Sequence, residues 1–125
     1  MQYVSLVTLL LVLQYLIFTM MVGAARSKSG IKAPAVTGDE QFERAYRVQM
    51  NTLEQLVITL PALWLSGQYF PLVAALLGLT FFFGRVLYRV GYMKSPEKRG
   101  AGFGIGFLGT VGLIGTALWG VIAAL

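Results

Sequence analysis

Four apolar segments, each near the length that crosses a bilayer, take up most of this 125-residue chain. With 57% of its residues hydrophobic and 12% charged, a soluble domain of this size cannot hide the apolar surface it would carry. The expected fold is therefore all-α: a single integral-membrane domain over residues 1–125, built as a four-transmembrane-helix bundle. The apolar segments and their flanking signals place the helices at about 3–25, 38–68, 71–92 and 95–124.

The first segment carries no charge and only scattered polar residues, among them Gln14, for which a hydrogen bond to a neighbouring helix is the plainer reading. No basic region precedes it and its apolar run is too long for a typical signal peptide. Thr37-Gly-Asp-Glu40 fits a capping box at the start of the second helix. Pro61 is expected to kink that helix, and Trp64 and Tyr69 suit its far interface. The third helix carries Phe81, Arg85, Tyr88 and Tyr92 on one stripe, with Arg89 beside them. Ser95 and Pro96 suit the start of the fourth. That helix is studded with glycines, which read as close helix packing.

Charge is confined to one end. All ten Lys and Arg lie between Arg26 and Arg47 or between Arg85 and Arg99, and the acids accompany them if the start of the second helix is included. The turn at Ser66–Pro71 and both termini carry no charged side chain. The positive-inside rule then puts the charged loops in the cytosol. It also explains the net charge of +5 better than a nucleic-acid partner does. The absence of Cys and His excludes disulfides, a Cys or His metal site, a Cys nucleophile and a His base, and no metal is expected.

Within that end one stretch is unusual. Glu43-Arg44-Ala45-Tyr46-Arg47-Val48-Gln49-Met50-Asn51-Thr52-Leu53-Glu54 is rich in charge and amide, yet runs unbroken into an apolar helix. Glu40, Arg44, Arg47, Asn51 and Glu54 share one helical stripe. A polar stripe descending toward a membrane is costly unless something polar meets it. One reading is internal: Arg47 pairs with Glu54 or Glu43, the tyrosines anchor at the interface and Arg85 snorkels. The other is a ligand. Arg47, Asn51, Glu54, Tyr88, Tyr92 and Arg99, the last near a helix N-terminus, suit a small zwitterionic peptide with excess negative charge, with lipid access for an apolar co-substrate.

These residues resemble the membrane-associated proteins in eicosanoid and glutathione metabolism, the MAPEG family. The stretch Glu43–Glu54 looks like that family's helix-two signature. Gly84-Arg85-Val86-Leu87-Tyr88-Arg89-Val90-Gly91-Tyr92, followed by Lys98-Arg99-Gly100, is similar to its second signature, most closely in type-three microsomal glutathione transferases. The resemblance implies a homotrimer with glutathione held between neighbours. It implies glutathione contacts by Arg47, Asn51, Glu54, Tyr88 and Tyr92, with Arg26 and Gln49 reaching the ligand from the adjacent protomer. Arg99 matches the arginine assigned to activating the thiol, the catalytic role. Two positions depart from the pattern. Gln55 replaces the Tyr of leukotriene synthases, and Gly100 the Ser of prostaglandin E synthase, so detoxifying conjugation or peroxide reduction is expected over eicosanoid chemistry.

The leading expectation is thus a membrane-bound glutathione S-transferase, with peroxidase activity as a variant of the same chemistry, acting on a lipophilic second substrate from the bilayer. The alternative is a non-catalytic member that binds lipid or a partner protein. A four-helix drug exporter fits poorly, because the first helix has no carboxylate. The cytosolic side belongs to a bacterial inner membrane or to an endoplasmic reticulum. The short chain and the lack of a retention motif at Val121–Leu125 favour the former.

Overall fold

The structure, a computed structural model, describes residues 1–125. Four helices, α1 (Gln2–Ser29), α2 (Glu40–Tyr69), α3 (Pro71–Lys94) and α4 (Gly100–Ala124), run up, down, up and down, with a single 3₁₀ turn at Pro96–Arg99 before α4. Three of the segments, Gln2–Ser29, Pro71–Lys94 and Pro96–Ala124, are long and apolar enough to cross a membrane. α2 is as long but less apolar along its length and falls outside that class. It lies alongside the others, antiparallel to α1 through Gln49–Thr19 and Trp64–Thr8 and to α3 through Thr52–Arg85.

Several helix ends differ from the sequence expectation, each for a local reason. α1 continues past Ala25 to Ser29, because nothing in Arg26–Ser29 breaks a helix. It stops where Gly30 adopts a left-handed conformation (φ 75°) and its N–H closes onto the Arg26 carbonyl. The expected capping box does not form, and the N-cap is displaced by two residues. Gly38 turns the chain with φ 123°, so Asp39, not Thr37, caps α2, accepting from the Phe42 N–H at 2.9 Å. The Glu43 carboxylate reaches back to the Gly38 N–H at 3.0 Å, and Glu40 is left free to pair with Arg44. α3 extends to Lys94, and Ser95 makes no side-chain cap, so α4 starts only at Gly100, after the 3₁₀ turn. α2 runs unbroken through Pro61, which sits on its exposed side.

The core is layered along the bundle. Val4, Val7, Leu11, Leu56, Leu63, Ala74, Phe81 and Leu113 fill its uncharged half, and smaller clusters around Val48, Phe18 and Tyr88 and around Phe42 and Val22 fill the charged half. In lipid the drive to associate is close packing and interhelical hydrogen bonding rather than hydrophobic burial. Both are present. A Cβ on Gly84 would strike the Gly106 backbone, and one on Gly102 would strike the Tyr88 backbone, so the α3–α4 seam exists only because these residues have no side chain. Gly100 and Gly104, by contrast, face open space. Along α2, Thr52, Thr59 and Ser66 recur every seven residues and are fully buried. Thr59 shares a hydrogen bond with Thr110 of α4 (2.8 Å), and Ser66 with Thr116. Gln14 donates to the Phe82 carbonyl across the α1–α3 contact (3.0 Å).

Candidate functional site

A cleft of about 850 Å³ opens at the charged end between α2, α3 and the turn leading into α4. Its walls carry Arg47 and Asn51 from α2, Tyr88 and Tyr92 from α3, and Glu97, Arg99, Gly100 and Phe103 from the turn and α4. The α2 residues arrive there because four-residue and three-residue steps keep one helical face in line. The α3 pair does the same, its rings 5.6 Å apart and tilted at 47°. Phe103 of α4 lies 6.2 Å from Tyr88 and closes the aromatic wall.

Arg47, Asn51, Tyr88, Tyr92 and Arg99, five of the eight residues singled out from the sequence, line this one cleft. Glu54 stands beside it. Its Oε1 accepts from Arg47 Nη2 at 3.2 Å and from Asn51 Nδ2 at 3.4 Å. The side chains of Arg47 and Glu54 are 49% and 53% exposed, so this ion pair leaves both groups open to a further partner. Arg26 and Gln49 lie elsewhere. Arg26 stacks over the Phe42 ring at 4.7 Å and donates to the Ala35 carbonyl, and Gln49 donates to Thr19 of α1. Neither lines the cleft within one chain.

Arg99 is the last residue of the 3₁₀ turn, rather than part of the first turn of α4, and its Nη1 donates to the Pro96 carbonyl at 2.6 Å. The turn is seated on Gly91, where a Cβ would strike the Lys98 carbonyl. The guanidinium is exposed and bound to a neutral oxygen only, so its charge remains available.

Arg85 is the residue whose place the sequence conceals. It does not snorkel: it is fully buried, against Thr52 and Asn51 of α2 and under the Tyr88 ring. The stripe Phe81–Arg85–Tyr88–Tyr92 is the signal that it faces the bundle, but nothing in that spacing gives its depth. Glu97 and Phe103 were likewise invisible as cleft residues, since the turn that aims them is a tertiary feature.

The arrangement offers two guanidinium groups, an amide, two phenols and two carboxylates around a space large enough for a small peptide. Arginine forks match carboxylates, and a fixed cation beside a thiol favours thiolate.

A profile of the MAPEG family matches residues 4–119. An uncharacterized protein of Synechocystis is 46% identical over 119 residues, which cover 94% of this chain and 87% of that protein. Human microsomal glutathione S-transferase 2 is 41% identical over 112 residues, 87% of this chain and 76% of its own length. Leukotriene C4 synthase of Cavia porcellus is 42% identical over 94 residues, 74% of this chain and 63% of its own.

Proposed function

Because this chain belongs to the MAPEG family, we propose that it is an integral membrane glutathione transferase, with the charged cleft as its thiol site. The similarity to microsomal glutathione S-transferase 2 and to leukotriene C4 synthase supports glutathione-dependent transfer in general. The observation that carries the reading to particular residues is the convergence of Arg47, Asn51, Tyr88, Tyr92 and Arg99 on one cleft from three separate parts of the chain.

In this reading Arg47 and the Asn51 amide donate to a glutathione carboxylate, while the Glu54 carboxylate receives its ammonium group. Tyr88 and Tyr92 flank the backbone of the peptide. Arg99 leaves the Pro96 carbonyl and stabilises the thiolate over the thiol. A free thiol titrates near 8.5, and each unit of depression corresponds to about 1.36 kcal/mol. The thiolate sulfur then attacks an electrophilic carbon of a lipophilic substrate. A C–S bond forms, and the displaced group leaves with the electron pair. With a hydroperoxide the sulfur attacks the terminal oxygen, the O–O bond breaks and an alcohol leaves. A second glutathione reduces the resulting sulfenic acid to the disulfide and water.

The exposed Arg47–Glu54 pair argues for assembly. Half-exposed charges on the flank of a helix packed among membrane spans are costly against lipid. A second copy that covers this flank removes the cost, and it gives Arg26 and Gln49 of a neighbour a route to the cleft. The homotrimer, with its charged loops cytosolic, is the assembly we infer. Cross-linking of the 13.6 kDa chain in detergent should stop at three copies. The activity test is the ultraviolet thiolate band of glutathione added to the purified protein at neutral pH. A band in wild type that vanishes in Arg99→Ala supports the reading. No band with a folded wild-type assembly would instead mark a non-catalytic lipid- or partner-binding member.

A further inference from the structure

The largest fully buried side chain in this protein is a cation, Arg85, 1% exposed. No carboxylate lies within ion-pair distance of it. Its Nη2 donates to Asn51 Oδ1 and to Thr52 Oγ1, each at 2.8 Å, and its Nε donates to Thr52 Oγ1 at 3.3 Å. Its guanidinium carbon sits 4.0 Å from the centre of the Tyr88 ring. Asn51 and Tyr88 line the cleft, and Arg85 lies directly behind them.

A buried charge with only neutral partners is expensive, and an apolar side chain of similar volume is commonly as stable or more so. Packing alone therefore gives a poor account of an arginine here. Its chemistry gives a better one. A guanidinium only donates, so the Asn51 atom facing it must be the oxygen. The amide nitrogen is thereby turned the other way, where it meets Glu54 Oε1 at 3.4 Å. Asn51 thus presents a donor, not an acceptor, on the side away from the buried arginine. The Tyr88 ring is held in place by the same cation. Behind this wall stands a positive charge that no protein carboxylate cancels.

We propose that Arg85 is a positioning residue of the cleft: it fixes Asn51 as an outward-facing donor and backs it with an uncompensated charge, so that the cleft selects an anionic ligand group. Identifying that group as a glutathione carboxylate rests on the function proposed above. The role of Arg85 itself does not.

The test uses the full-length protein in detergent. Melting temperature is measured without ligand, with glutathione and with inorganic sulfate as a charge-only probe, for wild type, Arg85→Met, Arg85→Lys, Thr52→Val, Asn51→Ala and the double variant Arg85→Met/Asn51→Ala. Arg85→Met should melt at or above the wild-type temperature when free, yet bind glutathione about tenfold more weakly. Arg85→Lys should recover part of that loss. The Arg85→Met and Asn51→Ala effects should be less than additive, since Arg85 acts through Asn51. In turnover the effect should fall on KM more than on kcat. A markedly lower melting temperature with unchanged glutathione affinity, or fully additive effects, would make Arg85 mere interhelical glue and overturn the proposal. If wild type ignores glutathione, the proposed thiol is wrong, and sulfate decides: a stabilising shift lost in Arg85→Met upholds the role, and an equal shift in both overturns it. Should Arg85→Met not fold, Thr52→Val reports instead, with weakened ligand affinity expected and unchanged affinity fatal.

Discussion

The two halves of α2 meet the rest of the bundle in opposite ways. From Leu56 to Tyr69 every buried polar group finds its partner inside the same chain: Thr59 with Thr110, Ser66 with Thr116. From Glu40 to Glu54 the polar groups are only partly answered. Arg47 and Glu54 pair while half exposed, and Asn51 and Thr52 accept from Arg85 of α3, a buried cation with no carboxylate of its own. The apolar half is what an interhelical seam needs and no more. The charged half holds more charge and more donors than folding requires. Surplus polar capacity at one depth marks the end where a ligand or a second chain belongs.

Four substitutions sharpen that contrast, in decreasing order of effect. The α3–α4 seam underlies both halves, so breaking it should fell both. Gly102→Leu drives a side chain into the Tyr88 backbone and should cost about 3 kcal/mol or more, seen as loss of the folded species on thermal melting. Arg99→Ala touches only the charged end. It should lower conjugation with a lipophilic electrophile by about a hundredfold, as when one preorganised donor is removed from a transition state, while the melting temperature barely moves. Thr59→Val touches only the satisfied half. It leaves Thr110 without its partner and should cost about 0.6 kcal/mol of stability with turnover unchanged. Gly115→Ala meets nothing within reach and should be neutral, or stabilising by up to about 1 kcal/mol through helix propensity. A fall in turnover from Thr59→Val, or in stability alone from Arg99→Ala, would erase the distinction between the halves.

Much of this was legible in advance. Segment lengths and charge-free stretches located the helices, and the confinement of charge to one end located the cleft. Three-and-four spacing put Arg47 and Asn51 on one face of α2, and Tyr88 and Tyr92 on one face of α3. The helix ends were less legible. Thr37 and Asp39 are both good caps, and the choice fell to Asp39 because Gly38 takes a conformation that no helix continues from. Nor could the glycines be sorted. Gly102 and Gly104 are two residues apart on α4, yet one meets the backbone of α3 and the other meets open space. Which face of α4 turns inward depends on its partner.

Arg85 marks the boundary most clearly. Its residue type and its stripe follow from the chain alone, as do the membrane-length helices, the charged end and the family signatures. Each of these is a property of one segment, set by local periodicity and by the transfer cost of side chains to lipid. That Arg85 is buried rather than snorkelling, that it holds Asn51 by the oxygen, and that Arg99 rests on a turn seated at Gly91 were decided only when α2, α3 and α4 came together. A side chain's depth and hydrogen-bond partners belong to pairs of helices, and the distance between two helices is written in neither of them singly.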